Sequence, residues 1–208
     1  MTDESALLAA IRAAPADDAP RLVYADWLDE HGRPERAEFI RVQIELARRD
    51  DPARRRREAE LLAEHHDAFA GPLAAPHLRF RFERGFIARF GHAGMFAGRH
   101  GRMMVLFRFF SDGLVICTTG REPEDVLGSF SRENKYLLRG TYALEASEFP
   151  ATIRFECTST ATTQDIRFIG TFDGEVLSPD GNARYSGYPM LRRFTYQPFT
   201  SLHSFPET

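Results

Sequence analysis

The side chains best equipped for chemistry in this chain are few. His65, His66 and Asp67 stand consecutively, and histidine beside a carboxylate serves both metal ligation and proton transfer. On a helix, however, neighbouring side chains diverge by about 100°, so His65 and His66 cannot close on one ion. No His-Glu-x-x-His or Cys-x-x-Cys string accompanies them, and His92 and His100, in a glycine-rich stretch, stand at no ligand spacing. No metal and no other cofactor is expected. The two cysteines, Cys117 and Cys157, fall on expected strands away from any histidine at motif spacing and read as core thiols. No Gly-x-Ser-x-Gly string is present, which removes that nucleophile arrangement. Gly94-Met95-Phe96-Ala97-Gly98 lacks the lysine and the strand-to-helix setting of a phosphate loop. The single lysine, Lys135, would have to carry any Schiff-base chemistry alone. No catalytic set emerges, and the chain is not expected to be an enzyme.

The charged residues point the same way. Arg54-Arg55-Arg56-Arg57 is preceded by Asp50 and Asp51 and followed by Glu58, Glu60 and Glu64. The run therefore reads as a solvated helical face with i,i+4 pairs. A net charge of −3 over 208 residues gives no electrostatic case for nucleic acid or for an acidic membrane. At 43% hydrophobic and 27% charged the composition is that of a globular protein, not of a fibrous or disordered chain. No apolar run approaches the roughly 18–20 residues that span a bilayer. No signal-like segment opens the chain, so a cytoplasmic location is expected.

The elements that would hold these residues change character near residue 78. Of 18 phenylalanines, 16 lie beyond that point, whereas alanine crowds the first 76 residues. Alanine favours helices and phenylalanine strands. The expected fold class is therefore α+β: an N-terminal helical domain of about four helices, then an antiparallel β meander of about eight strands, barrel or sandwich. Helices are expected at about 4–14, from Asp17 and Asp18 to Gly32, from Pro34 to about Arg49, and from Asp51 to Gly71-Pro72. Leu78, Phe80 and Phe82 alternate with charged residues, and Phe86, Ala88 and Phe90 come after Arg84-Gly85, which predicts a hairpin. Residues 91–101, with four glycines, read as a linker or open loop. Later strands are expected around Val105–Phe109, 114–119, 138–146, 151–159, 164–172 and 175–178, with one or two more ending near Phe199 and a short helix at Pro123–Phe130. These elements set the domain boundaries: 1–76 helical, 77–101 hairpin and glycine-rich connection, 102–208 antiparallel β.

One string is distinctive. Arg21-Leu22-Val23-Tyr24-Ala25-Asp26-Trp27-Leu28-Asp29-Glu30-His31-Gly32, followed by Arg36-Ala37-Glu38-Phe39-Ile40-Arg41-Val42-Gln43, resembles the bacterial repeat-companion domain. The similarity continues through Leu61-Leu62-Ala63-Glu64-His65 and Gly71-Pro72-Leu73 to Arg84-Gly85-Phe86 and covers roughly residues 4–90. The resemblance implies an adaptor or assembly role, from the family's domain companions, and brings no established enzymatic activity with it. A phenylalanine-rich β domain stands here where repeats would often begin.

In physical terms, Tyr24 and Trp27 can close a small helical core while their polar tips reach outward. Asp26 and Glu38 lie within reach of Arg21, Arg36 or Arg41. Two readings are open: the string defines the fold, or Tyr24, Asp26, Trp27, Glu38 and Arg41 form an interaction surface. The expected function is a non-enzymatic protein-interaction or adaptor module with a protein partner. The alternative is a small-molecule carrier or sensor, because Gly140-Thr141-Tyr142 leads a strand in a meander faintly similar to lipocalin-like barrels, which can enclose a ligand. The abundance of phenylalanine favours a filled interior, since a vacant cavity costs packing energy. Protein purified without chelator is expected to hold far less than one equivalent of zinc, as checked by elemental analysis; stoichiometric zinc would overturn this reading of the histidines.

Overall fold

Helix boundaries in this chain are set by caps and glycines. The computed structural model describes residues 2–92, 94–100, 102–120, 130–146, 149–160, 163–181, 183–185 and 193–197. Helix α1 (Asp3–Ala13) is capped by Thr2, whose hydroxyl accepts from the Ser5 amide at 3.3 Å. Helix α2 (Ala19–Glu30) opens on Asp17, which accepts from the Ala19 amide at 2.9 Å, and ends before Gly32 at φ +72°. Helix α3 (Pro34–Arg48) starts with proline at its first position. Helix α4 (Pro52–Ala70) is capped by Asp51, which accepts from the amides of Ala53 and Arg54, and stops at Gly71 with φ +57°. A positive φ costs glycine little and other residues much, so both stops fall where the sequence supplies one. Ile11, Tyr24, Ala25, Leu28, Ala37, Ile40 and Ile44 form the helical core. Phe39 stacks on Phe69 at 4.7 Å between ring centres.

Strands β1 (Leu78–Glu83) and β2 (Phe86–His92) pair as a separate two-stranded sheet. The chain divides into two units, one of Met1–Gly71 with Phe82–Ile87, the other of Pro72–Arg81 with Ala88–Thr208. The tip of the hairpin thus folds with the helices. Gln43 on α3 explains why: it is buried, and its Oε1 accepts from the Gly85 amide at 2.6 Å. Its Nε2 donates to Glu58 at 2.8 Å and to the Phe82 carbonyl at 3.3 Å. Gly85 sits at φ +87°, and a Cβ there would lie 2.3 Å from Ile40 Cγ1, so the turn admits only glycine.

The second unit is a closed antiparallel barrel. Its strands are β3 (Met95–His100), β4 (Met103–Phe109), β5 (Leu114–Gly120), β6 (Leu138–Glu145), β7 (Ala151–Thr158), β8 (Asp165–Phe172), β9 (Val176–Pro179), β10 (Arg184–Tyr185) and β11 (Phe194–Gln197). Among the described residues eight strands close in the order β3-β4-β5-β6-β7-β8-β9-β11, with β11 returning to β3. Strand β10 pairs with β8 beyond the end of β9. Barrel, not sandwich, is the outcome. The short helix expected at 123–130 and the strand end expected near Phe199 lie outside the described residues, apart from Phe130.

Register places one set of side chains inside. Phe96 faces Phe107, Phe107 faces Cys117, and Cys117 faces Leu138. Tyr142 faces Phe155, Phe155 faces Phe168, and Tyr196 closes the circuit on Phe96. Directly paired residues share a face, and the rings meet there. Phe155 and Phe168 stack at 4.7 Å, Phe107 lies 4.8 Å from Phe194, and Phe90 stacks on Phe172 at 4.6 Å. On β7 and β8 burial alternates with exposure. By contrast, β3, β4 and β5 are buried on both faces, because Met95, Ala97, Met104, Leu106 and Ile116 pack outside the barrel with Phe130 and Leu137.

The expectation of a linker at 91–101 is overturned. Residues 95–100 are β3, paired with β4 on one side and β11 on the other. Gly91 and Gly94 are there for close approach, not looseness: a Cβ on Gly94 would lie 2.2 Å from the Gln197 carbonyl oxygen, and one on Gly91 would lie 3.0 Å from the Ser111 nitrogen. The expected boundaries at 76 and 101 move accordingly, to Gly71 and to the two ends of 82–87. In native-state hydrogen exchange, amides of β3 are expected to match those of β4 within about 1 kcal/mol of opening free energy. Fast exchange confined to 95–100 would restore the linker reading.

Candidate functional site

The helical unit gathers most of the singled-out residues onto α2 and α3. Asp26 and Asp29, one turn apart on α2, both receive Arg41 of α3; its Nη2 donates to Asp26 Oδ1 and to Asp29 Oδ2 at 2.7 Å each. Asp26 is largely exposed, so the pair is a surface clamp worth about 0.5 kcal/mol. Glu38 is paired elsewhere. Arg57 of α4 grips it through Nε at 2.7 Å and Nη2 at 2.8 Å, and these bonds hold its carboxyl below the usual carboxylate range. Of the pairings expected from sequence, Asp26–Arg41 is present, while Glu38 turns to Arg57 and Arg21 donates to the Asp17 carbonyl oxygen at 2.7 Å. The arginine run of α4 pairs mainly across elements or at i,i+3. Arg54 meets Glu45 and Asp51, Arg55 meets Asp50, and Arg57 meets Glu38 and Glu60. The expected i,i+4 pattern gives way because α3 offers carboxylates opposite α4.

Tyr24 is buried, and its hydroxyl donates to Glu4 Oε1 at 2.8 Å. Burial, together with that carboxylate, pushes the phenol up to about 12. Arg33 donates to the same Glu4 oxygen at 2.8 Å and lies 5.0 Å over the Trp27 ring. Trp27 is half-buried and stacks on His31 at 3.8 Å. His31 Nδ1 lies 2.7 Å from the Trp27 carbonyl oxygen; a carbonyl only accepts, so that nitrogen carries the proton.

Beside this surface lies a cleft of about 290 Å³ lined by Tyr24, Gly32, Arg33, Glu35, Arg36, His65, Ala68 and Phe69. Arg36 is its unusual member. The guanidinium stands 5.0 Å from the Phe69 ring and within 6 Å of Phe39, Phe82 and Phe86. Its Nη1 is sealed from water and has no hydrogen-bond partner among the described residues. Burial lowers its pKa to about 10, which leaves it protonated at neutral pH. Each ring face returns about 0.5–2 kcal/mol, against about 1–3 kcal/mol for an unmade buried hydrogen bond and more for a charged group. From the sequence, Arg36 is expected as a partner of Asp26 or Glu38; the structure instead sets its guanidinium among aromatic rings. The available signal was its place one turn before Phe39 on an otherwise apolar face.

The remaining candidates are structural in their surroundings. Cys117 and Cys157 are buried at inward barrel positions; burial raises both thiols, Cys157 to about 12. His66 Nδ1 lies 3.0 Å from its neighbour Asp67, and His65 Nε2 lies 3.6 Å from Glu64. Among the described residues no group of three or more histidine, cysteine or acidic side chains is arranged to hold a metal. The side chains of His92 and His100 fall outside the described residues. Among the described residues no helix is long and apolar enough to cross a membrane.

Comparison with family models, with curated proteins and with solved structures gives no match. Because Trp27 is half-buried, Trp27→Ala is expected to cost about 1–3 kcal/mol in denaturant unfolding, below the roughly 3–5 of a fully buried indole. A loss above that range would make Trp27 a core residue and remove it from any docking surface.

Proposed function

We propose that this chain is a non-enzymatic protein-interaction module that docks a protein partner on the outer side of α2. The reading rests on the resemblance of residues 4–90 to the repeat-companion domain and on one observation. Val23 is 54% exposed, a large apolar side chain left in water. Asp26 stands at i+3 and the half-buried Trp27 at i+4, so the three share one helical face. An apolar and aromatic centre beside a fixed charge is the composition that interface cores favour. The barrel is read as a scaffold for the same role, since rings fill its interior.

A second reading keeps one specific support. Eight strands closing up-and-down is the architecture in which lipocalin-like barrels hold a small ligand, and this would make the chain a carrier or sensor. Phe107, Phe155, Phe168 and Phe194 occupying one another's space weigh against it.

The deciding experiment compares tagged full-length wild type with Val23→Glu and Asp26→Asn, both at exposed positions where folding tolerates change; the asparagine keeps an oxygen that can accept from Arg41, and Asp29 still holds it. A partner cross-linked to wild type and lost from both variants, at unchanged thermal midpoint, is the expected result. Equal recovery by the variants overturns the docking face. A small molecule retained by the native protein in mass spectrometry, and lost on Phe168→Trp, selects the barrel reading.

A further inference from the structure

Helix α2 ends against its own dipole. Asp29 and Glu30 stand in its last turn, where a helix presents negative partial charge and cations are favoured, and that turn holds no basic residue. Arg41 answers Asp26 and Asp29 at 2.7 Å each, while Glu30 is exposed and makes no ion pair among the described residues. Ala19, Val23 and Trp27 form one row along the outer side of α2 at i, i+4 and i+8, and Asp26 and Glu30 form the adjoining row. We infer, taking the docking face proposed above as given, that its occupant is a basic amphipathic helix of a partner protein. That helix seats an apolar side chain on Val23 and sets Lys or Arg against Asp26 and Glu30.

The charges on this side do not cancel. Three carboxylates, Asp26, Asp29 and Glu30, stand against one guanidinium, Arg41. Arg33, which lies over the Trp27 ring, is already matched by Glu4 at 2.8 Å, and His31 adds a positive charge only when protonated. The excess is open to a partner, since the Asp26 side chain is 71% exposed. A helix carries apolar and basic side chains at the one-turn spacing of the two rows, so it meets both at once. The apolar seat supplies affinity, and the opposed charges supply orientation and partner choice. A second copy of α2 is a poorer occupant, because its own stripe of Ala19, Val23, Asp26, Trp27 and Glu30 holds no cation to meet the acids. A small cation would answer the carboxylates but leave Val23 in water.

Trp27 is the single tryptophan of the chain, so its fluorescence reports on this face when the probe carries none. The full chain is titrated with an acetylated, amidated peptide of leucine, alanine and lysine, its leucines at i, i+3, i+4, i+7 spacing and its lysines beside them. The control is the same peptide with glutamate at every lysine position. A saturable change with the lysine peptide is expected, with a dissociation constant on the order of 10–100 μM, at least about tenfold tighter than for the glutamate peptide. The double variant Asp26→Asn with Glu30→Gln should bind the lysine peptide at least about fivefold more weakly, and added salt should narrow its difference from wild type. Val23→Ser should weaken both peptides. All three substitutions fall at exposed positions where folding tolerates change. Equal binding of the two peptides, both weakened by Val23→Ser, would overturn the basic partner and leave the docking face standing. A lysine peptide that does not saturate, or that binds the double variant undiminished, would also overturn the basic partner, with the cross-linking comparison still deciding the face. Cross-linking unchanged in the Val23→Glu variant would remove the face and its occupant together.

Discussion

A closed barrel of eight strands has an interior whose width is set by strand number and stagger, and the β unit is organised around filling it. Phe96, Phe107, Phe109, Phe155, Phe168, Phe172 and Phe194 are buried on its paired positions. Closure in turn requires the first strand to meet the last. That is why β3 must be a strand, and why glycine stands where backbones crowd. At Gly140 and Gly170 a Cβ would lie 1.8 and 2.2 Å from carbonyl oxygens of neighbouring strands. The same sealing explains the buried thiols and the buried Tyr142 hydroxyl, which accepts from the Phe90 amide and has the Phe90 and Phe110 carbonyl oxygens as acceptors for its one proton.

The helical unit solves a different problem, with less apolar surface and more charge. Its order comes from polar side chains that each serve several partners: Gln43 joins α3, α4 and the hairpin turn, Arg41 spans two aspartates, and Arg57 spans Glu38 and Glu60. Arg36 stands out against that economy. A methionine of similar length would pack among the rings without the cost of an enclosed charge, and the cation–π contacts with Phe39, Phe69, Phe82 and Phe86 offset part of that cost.

Much of this architecture is legible from spacing. The caps at Thr2 and Asp51, the stops at Gly32 and Gly71, and the alternation on β7 and β8 are local signals, and the structure obeys them. Strand β3 is not legible, because Phe96 and Gly98 face inward while Met95 and Ala97 face a second apolar layer. Burial on both faces erases the period of two on which strand recognition depends. The pairing of Glu38 with Arg57 depends on how α3 meets α4, which no local window contains. The ring cage around the Arg36 guanidinium depends on Phe69, Phe82 and Phe86, from elements far apart in sequence.

The β1–β2 hairpin carries a consequence for how such a protein can be assembled and inherited. Its tip, 82–87, belongs with the helices, while the chain on either side belongs with the barrel, so the polypeptide passes between the units three times. A gene fragment ending at residue 71 would encode four helices but neither Phe82, Gly85 nor Phe86. Gln43 would then lose its bonds to the turn, and one flank of the Arg36 cage would be missing. Recombination that exchanges the barrel for another domain must therefore carry this loop along with the helices, or supply a turn of the same shape with glycine at the same place.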